Sequence, residues 1–140
     1  MRKEFFHYLL LVLSACIISS LLTTSTVSAT ETTPTYSPDM LALQGRWVRT
    51  DAPYVIELNH AKGGSLQAAY FNPKPINVGK TEIAEQGGMV QVMIELLDVN
   101  YPGSTYVLSY DRSQDLLKGI YFHPATKQSY EVGFVRQVAQ

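Results

Sequence analysis

The stretch Gly45-Arg46-Trp47 begins the predicted fold, and Arg136 lies close to its end. The chain has one tryptophan, and an arginine guanidinium over an indole face is worth about 0.5–2 kcal/mol, more where water is excluded. Gly45 lets another part of the chain pass closely, because it has no side chain. We therefore predict that the first and last strands are neighbours and that Gly45, Trp47 and Arg136 close the fold between them.

Short β-type segments fill the sequence between these two ends. In 89–98, for example, apolar residues occupy alternate positions, and such a period of two places them on one face of a strand, toward a core. No segment of helical length has a 3.6-residue period. Turn residues separate eight predicted strands, near 45–50, 54–59, 65–72, 76–85, 89–98, 105–111, 116–123 and 128–137.

This succession of strands and short loops predicts an all-β fold, an eight-stranded antiparallel up-and-down (meander) barrel. Closure of the barrel removes exposed strand edges. In such a barrel the loops alternate between two ends, and the prolines of the domain all fall at one of them, called here the proline end: Pro53, Pro73, Pro75, Pro102 and Pro124. Functional loops cluster at one end of a rigid scaffold, so we place any site there. The alternative is that these prolines only fix wide corners.

The residues that precede the strands indicate export. Residues 1–29 have a positive start, an apolar run over 8–22 and a small-residue cleavage site at Val27-Ser28-Ala29, which together predict a secretory signal peptide. Residues 30–43 are rich in Thr, Pro and Ser and predict a flexible N-terminal tether. Residues 44–140 form the predicted barrel domain. We expect a periplasmic or extracellular protein.

Cys16, the only cysteine, gives an alternative anchor. Leu13-Ser14-Ala15-Cys16 resembles a bacterial lipobox, in which the cysteine becomes lipid-modified. The apolar run continues past Cys16, which favours cleavage after Ala29. Membrane attachment, as a lipoprotein, is therefore expected only if Cys16 is lipidated.

Gly45, Trp47 and Arg136 together resemble the calycin superfamily, which includes the lipocalins and fatty-acid-binding proteins, with the avidins as relatives. Those proteins carry Gly-x-Trp on the first strand and a basic residue of the last strand across the tryptophan. The resemblance implies a lipocalin/avidin-like barrel with its mouth at the proline end. The chain departs from it in having no lipocalin-type C-terminal helix and too few tryptophans for avidin-type biotin binding. Segments 70–76 and 98–106 also resemble uncharacterised bacterial exported proteins.

Charge and motifs argue against several functions. The chain has 11 Lys and Arg, 12 Asp and Glu and a net charge of −1, without a basic cluster, so we expect no nucleic-acid partner. His60 and His123 have no second histidine or cysteine at metal-ligand spacing. Neither a glycine-rich phosphate loop nor a nucleophile elbow is present. We therefore expect no enzyme, no metal and no cofactor.

The tyrosines are the strongest candidates for a binding site, because each combines an apolar ring with a hydroxyl group. We predict a module that binds a small, partly apolar or aromatic ligand at the proline end. Its candidate residues are Tyr54, Tyr70, Asn72, Asn100, Tyr106, Tyr121 and Tyr130. The alternatives are that the rings only fill the barrel and that the asparagines only make turns.

Two further functions are compatible with the sequence. One is a protein-interaction barrel: small exported barrels that resemble bacterial metalloprotease inhibitors insert an N-terminal segment into a protein partner, and residues 30–43 offer such a segment. This chain lacks the cysteine pair that is usual in those inhibitors. The other is a structural role in the cell envelope.

Overall fold

The computed structural model of the protein describes residues 36–61 and 64–138. The predicted signal peptide, Cys16 and residues 30–35 of the predicted tether lie outside the described residues. The described part contains one short helix and nine strands: α1 (Pro38–Ala42), β1 (Gly45–Arg49), β2 (Val55–His60), β3 (Leu66–Asn72), β4 (Lys74–Ile76), β5 (Val78–Gln86), β6 (Met89–Leu96), β7 (Ser104–Asp111), β8 (Leu116–His123) and β9 (Gln128–Arg136).

The strands form one antiparallel sheet in the order β4-β3-β2-β1-β9-β8-β7-β6-β5. The first and last of the long strands, β1 and β9, are neighbours, with Trp47 opposite Arg136 and Val48 opposite Val135. Every other pairing joins strands that follow one another in the chain. The fold is therefore an all-β, up-and-down, nearly closed barrel.

The prediction of eight strands in a closed barrel is wrong in one region. The predicted strand 76–85 is divided at Asn77 into β4, which pairs with β3, and β5, which pairs with β6. Since β4 and β5 do not pair, the barrel has one open seam. A cleft of about 350 Å³ lies at this seam, lined by residues 66–68 of β3 and 78–81 of β5.

Proline and a shortage of apolar surface explain the open seam. Pro73 occupies the turn that brings β4 back onto β3, and Pro75 within β4 has no N–H to donate to a further strand. In β5 only Val78, Thr81 and Ile83 are even half-buried. Burial of apolar area is the main force that docks a strand on its neighbours, so β5 pairs with its hairpin partner β6 and forms no strand pairing with β3, although the two strands stay close.

The core of the barrel is built by alternate residues of the strands. In β6 these are Val90, Val92, Ile94 and Leu96, all of them buried. The Trp47 side chain is fully buried, and its ring meets that of Tyr110 edge-on at a centroid distance of 6.0 Å. The period of two in the sequence thus identifies the residues that face the interior.

Part of the segment predicted as a tether is folded against the barrel. Pro38–Ala42 form α1, in which the Ser37 hydroxyl accepts a hydrogen bond from the Met40 N–H at 3.2 Å. Leu43, which follows α1, is fully buried, and its carbonyl accepts a hydrogen bond from Trp47 Nε1 at 2.9 Å. Such a short helix cannot display an apolar period. No helix in residues 36–61 and 64–138 is long and apolar enough to cross a bilayer.

Arg136 lies over Trp47 at the end of the barrel opposite the prolines. Its guanidinium carbon is 4.2 Å from the centroid of the indole ring. Gly45 has a backbone φ of +136°, and a Cβ at this position would lie 2.9 Å from Arg136 Nη1. A side chain there would displace the guanidinium, so all three residues act in one contact between β1 and β9.

The guanidinium of Arg136 is held by more than the indole. Nε and Nη2 donate hydrogen bonds to the Asp115 carboxylate at 2.6 and 2.9 Å. Nη1 donates to the Gln44 carbonyl at 2.8 Å, and Nη2 also donates to the Ala42 carbonyl at 2.6 Å. Arg136 therefore joins the last strand to the β7–β8 turn and to the chain between α1 and β1.

Candidate functional site

A cavity of about 270 Å³ opens at the proline end of the barrel. Its lining residues are Arg49, Tyr54, Tyr70, Tyr101, Tyr106, Tyr121, His123 and Tyr130. The space equals that of about nine water molecules at ~30 Å³ each and lies just below the usual range for ligand pockets, about 300–1,000 Å³. A ligand of about ten non-hydrogen atoms, such as one substituted aromatic ring, suits this volume.

Most of the residues predicted for the site line this cavity: Tyr54, Tyr70, Tyr106, Tyr121 and Tyr130. Asn72 stands behind the lining, where its side-chain amide donates a hydrogen bond to the Tyr101 hydroxyl. Asn100 is exposed in the β6–β7 connection and is not part of the lining. The structure thus brings the tyrosines together and leaves the asparagines outside the cavity.

Three lining residues were not among those predicted. Arg49 stands two positions after Trp47 and His123 two positions after Tyr121, so each shares the inward face of its strand. This period of two is a signal that could have found both. Tyr101 lies in the irregular connection between β6 and β7, where no period marks the direction of a side chain.

The tyrosine rings form a contiguous series from the interior to the surface. The hydroxyl oxygens of the buried Tyr70 and Tyr106 are 3.0 Å apart and share a hydrogen bond. The Tyr106 ring lies 4.7 Å from that of Tyr121, which in turn lies 6.2 Å from the stacked ring of Tyr130. Tyr130 is 44% exposed. The cavity therefore has a dry base and a wet rim.

Burial changes the acidity of the hydroxyl groups at the base. Burial raises the pKa of Tyr106 to about 12, although its hydrogen bond with Tyr70 and the charge of Arg49 act in the opposite direction. Burial also raises the pKa of Tyr70, and the neighbouring Tyr106 raises it further. Both hydroxyl groups are therefore neutral at physiological pH and are available to donate or accept hydrogen bonds.

These shifts predict a loss of stability in alkaline solution. Unfolded tyrosines ionise near their ordinary pKa of 10.0, whereas Tyr106 in the folded protein ionises near 12. The stabilisation of the folded state by the neutral Tyr106 hydroxyl is complete below pH 10 and is lost as the pH rises through about 12. We expect the unfolding temperature to fall over this interval, and less steeply in Tyr106→Phe. A wild-type slope equal to that of the variant would contradict the burial of this hydroxyl.

Arg49 is the cation at the wall of the cavity. Its side chain is only 12% exposed, and its guanidinium carbon lies 5.3 Å from the centroid of the Tyr54 ring. Nε and Nη2 donate hydrogen bonds to the Asp51 carboxylate at 2.6 and 3.1 Å. The hydrogen bond from Arg49 lowers the pKa of Asp51, which keeps that carboxylate ionised.

The lining of the cavity suits binding by stacking, hydrogen bonds and charge. Its groups are phenol rings, one guanidinium and one imidazole, and no carboxylate is among them. In the part of the chain that the structure describes, no group of three or more His, Cys, Asp or Glu side chains is placed to hold a metal ion.

Comparison of the chain with protein-family profiles, with curated proteins and with solved structures gave no match.

Proposed function

We propose that this protein is a binding module for a small, partly apolar or aromatic ligand, held in the cavity at the proline end. The observation that carries the proposal is the lining of that cavity, in which six tyrosine rings surround about 270 Å³. Ligand pockets are typically concave and mostly apolar, with a few polar groups that fix orientation. The tyrosine hydroxyls, Arg49 and His123 provide such groups here.

The arrangement of the rings favours an aromatic ligand. Aromatic pairs prefer centroid separations of about 4.5–7 Å and are worth about 0.5–1.5 kcal/mol beyond the area they bury. The rings of Tyr54 and Tyr70 lie 6.2 Å apart, and those of Tyr70 and Tyr101 lie 6.1 Å apart. Because six tyrosine rings line the cavity, a ligand ring within it would meet several tyrosine faces or edges at once.

The proposal includes a lipocalin/avidin-like relationship and export. The nearly closed antiparallel barrel and the contact of Arg136 with Trp47 support the first. The signal-peptide pattern of residues 1–29 supports the second, with lipidation at Cys16 as the alternative route. The packing of α1 and Leu43 on the barrel leaves less of segment 30–43 to insert into a protein partner, so we favour the small ligand.

Removal of one wall of the cavity tests the proposal. Tyr54 is only half-buried, so Tyr54→Ala should leave the core intact. We expect phenol to bind the wild-type protein with saturable shifts of amide NMR signals around the cavity, and to bind Tyr54→Ala about tenfold more weakly, through lost ring contacts and lost enclosure.

The matched control is Phe122→Ala, which removes an aromatic ring from the outer face of β8, 37% exposed. This variant should bind phenol as the wild type does. Equal weakening in both variants, or phenol shifts confined to the outer face, would contradict a site in the cavity.

A further inference from the structure

We infer that the ligand is an anion, a small aromatic carboxylate, and that Arg49 binds its carboxylate group; this inference rests on the function proposed above. The distribution of charged side chains around the cavity supports an anionic ligand. Arg49 is a permanent cation, whereas no acidic side chain lines the space. An anionic ligand would gain more from this arrangement of charges than a neutral or cationic one.

Asp51 positions the guanidinium of Arg49 without occupying the cavity. Its carboxylate accepts hydrogen bonds from Nε and Nη2 only. A guanidinium has five N–H donors, more than one carboxylate can use. Nη1 of Arg49 takes no part in the contact with Asp51. Arg49 can therefore bind a second carboxylate while the first one holds it in place.

The two carboxylates would lie in different surroundings. The Asp51 side chain is 60% exposed, whereas that of Arg49 is 12% exposed. Water screens the charge of Asp51 more strongly than that of a group within the cavity, because Coulomb interactions strengthen as water is excluded. The positive charge of Arg49 is thus only partly cancelled on the side of the cavity, where it already acts on the Tyr106 hydroxyl.

The size and shape of the cavity limit the anion to one ring. Tyr54 holds the guanidinium at the wall, with 5.3 Å between its ring centroid and the guanidinium carbon. The hydrogen-bonded hydroxyls of Tyr70 and Tyr106 lie at the dry base. An aromatic carboxylate of about ten non-hydrogen atoms fits the volume, with its ring among the tyrosines and its carboxylate at Arg49.

A pair of nearly isosteric probes tests this inference on the wild-type protein. Benzoate and benzamide have the same ring and a planar substituent, but only benzoate is charged. We expect benzoate to bind at least about tenfold more tightly than benzamide, because hydrogen bonds between ionised partners are roughly twice as strong as neutral ones. Amide NMR titration at neutral pH gives both dissociation constants.

Substitution of the arginine identifies the group responsible. Arg49→Gln should lower the affinity for benzoate to that for benzamide and leave the affinity for benzamide unchanged. Arg49→Lys should retain part of the preference for benzoate. The matched control is Arg46→Gln on the same strand, because Arg46 is exposed and pairs with Glu57 on the outer face at 2.8 Å. That variant should keep the full preference for benzoate.

The outcomes separate this inference from the proposed function. Equal affinity of the wild-type protein for benzoate and benzamide would contradict the inference that the ligand is an anion. The proposal of a binding site for an aromatic ligand would remain. A preference that survives Arg49→Gln would overturn the role of Arg49. Failure of phenol, benzoate and benzamide alike to bind would overturn the proposed function and this inference together.

Discussion

Replacement of Trp47 by alanine is expected to lower the free energy of unfolding by about 3–5 kcal/mol, the usual cost of removing a large buried aromatic side chain. The indole is fully buried, packs against Tyr110 and donates a hydrogen bond to the Leu43 carbonyl. Alanine would leave a cavity at the β1–β9 junction and remove the partner of that carbonyl. Such a loss is a large part of the stability of a small domain.

Urea unfolding followed by far-ultraviolet circular dichroism measures this effect without relying on tryptophan fluorescence. Phe122→Ala is the control, because this exposed ring covers the outer face of the barrel and its removal should cost far less. A loss below about 1 kcal/mol in Trp47→Ala would show that the indole is not a central part of the core.

Replacement of Arg136 by methionine is expected to lower the free energy of unfolding by about 2–3 kcal/mol. The change removes the cation from the face of Trp47 and leaves Asp115 and the Ala42 and Gln44 carbonyls without this donor. Methionine keeps much of the apolar length of the side chain, so the difference reports mainly on charge and hydrogen bonding. The partial exposure of Arg136 limits the loss.

Arg112→Met provides the matched control for Arg136→Met. Arg112 is 67% exposed and makes a surface ion pair with Asp39 at 3.2 Å, a type of contact that contributes about 0–1 kcal/mol. Both variants are compared by the same urea unfolding. Equal losses in the two variants would contradict a special role of Arg136 at the junction of β1 and β9.

The strands whose two faces differ most in polarity could be predicted from the sequence. In β6, alternation between apolar residues and Gln91 or Glu95 gave both the strand and its buried face, because a period of two is incompatible with a helix. The neighbouring positions of β1 and β9 were predicted from the closure of an up-and-down barrel and from the pairing of Trp47 with Arg136. The ion pair of Asp115 with Arg136 could not be predicted, because no sequence period indicates where the side chain of a turn residue points.

The open seam could not be predicted by the same reasoning. Segment 76–85 contains enough β-type residues for one strand, and its division at Asn77 depends on which neighbour each half pairs with. That choice is set by tertiary packing: β4 folds back at Pro73, and β5 offers little apolar surface to the core. The local sequence pattern does not show which neighbouring strand each half of the segment pairs with.

The candidate site was predictable only in part. The tyrosines were identified by residue type and by their place near the ends of strands, and five of them line the cavity. Arg49 was missed although it shares a face with Trp47, because a charged residue at the end of a strand usually points into solvent. Its low exposure depends on Asp51 and Tyr54, which hold it at the cavity wall.

The most direct measurement is the set of NOEs between bound benzoate and the protein. The proposed binding site predicts contacts from the protons of the benzoate ring to the ring protons of Tyr70, Tyr106 and Tyr121, with none to the exposed outer face of β7 and β8. NOEs confined to Val107, Ile120 and Phe122 on that face would place the ligand outside the barrel and contradict the proposal.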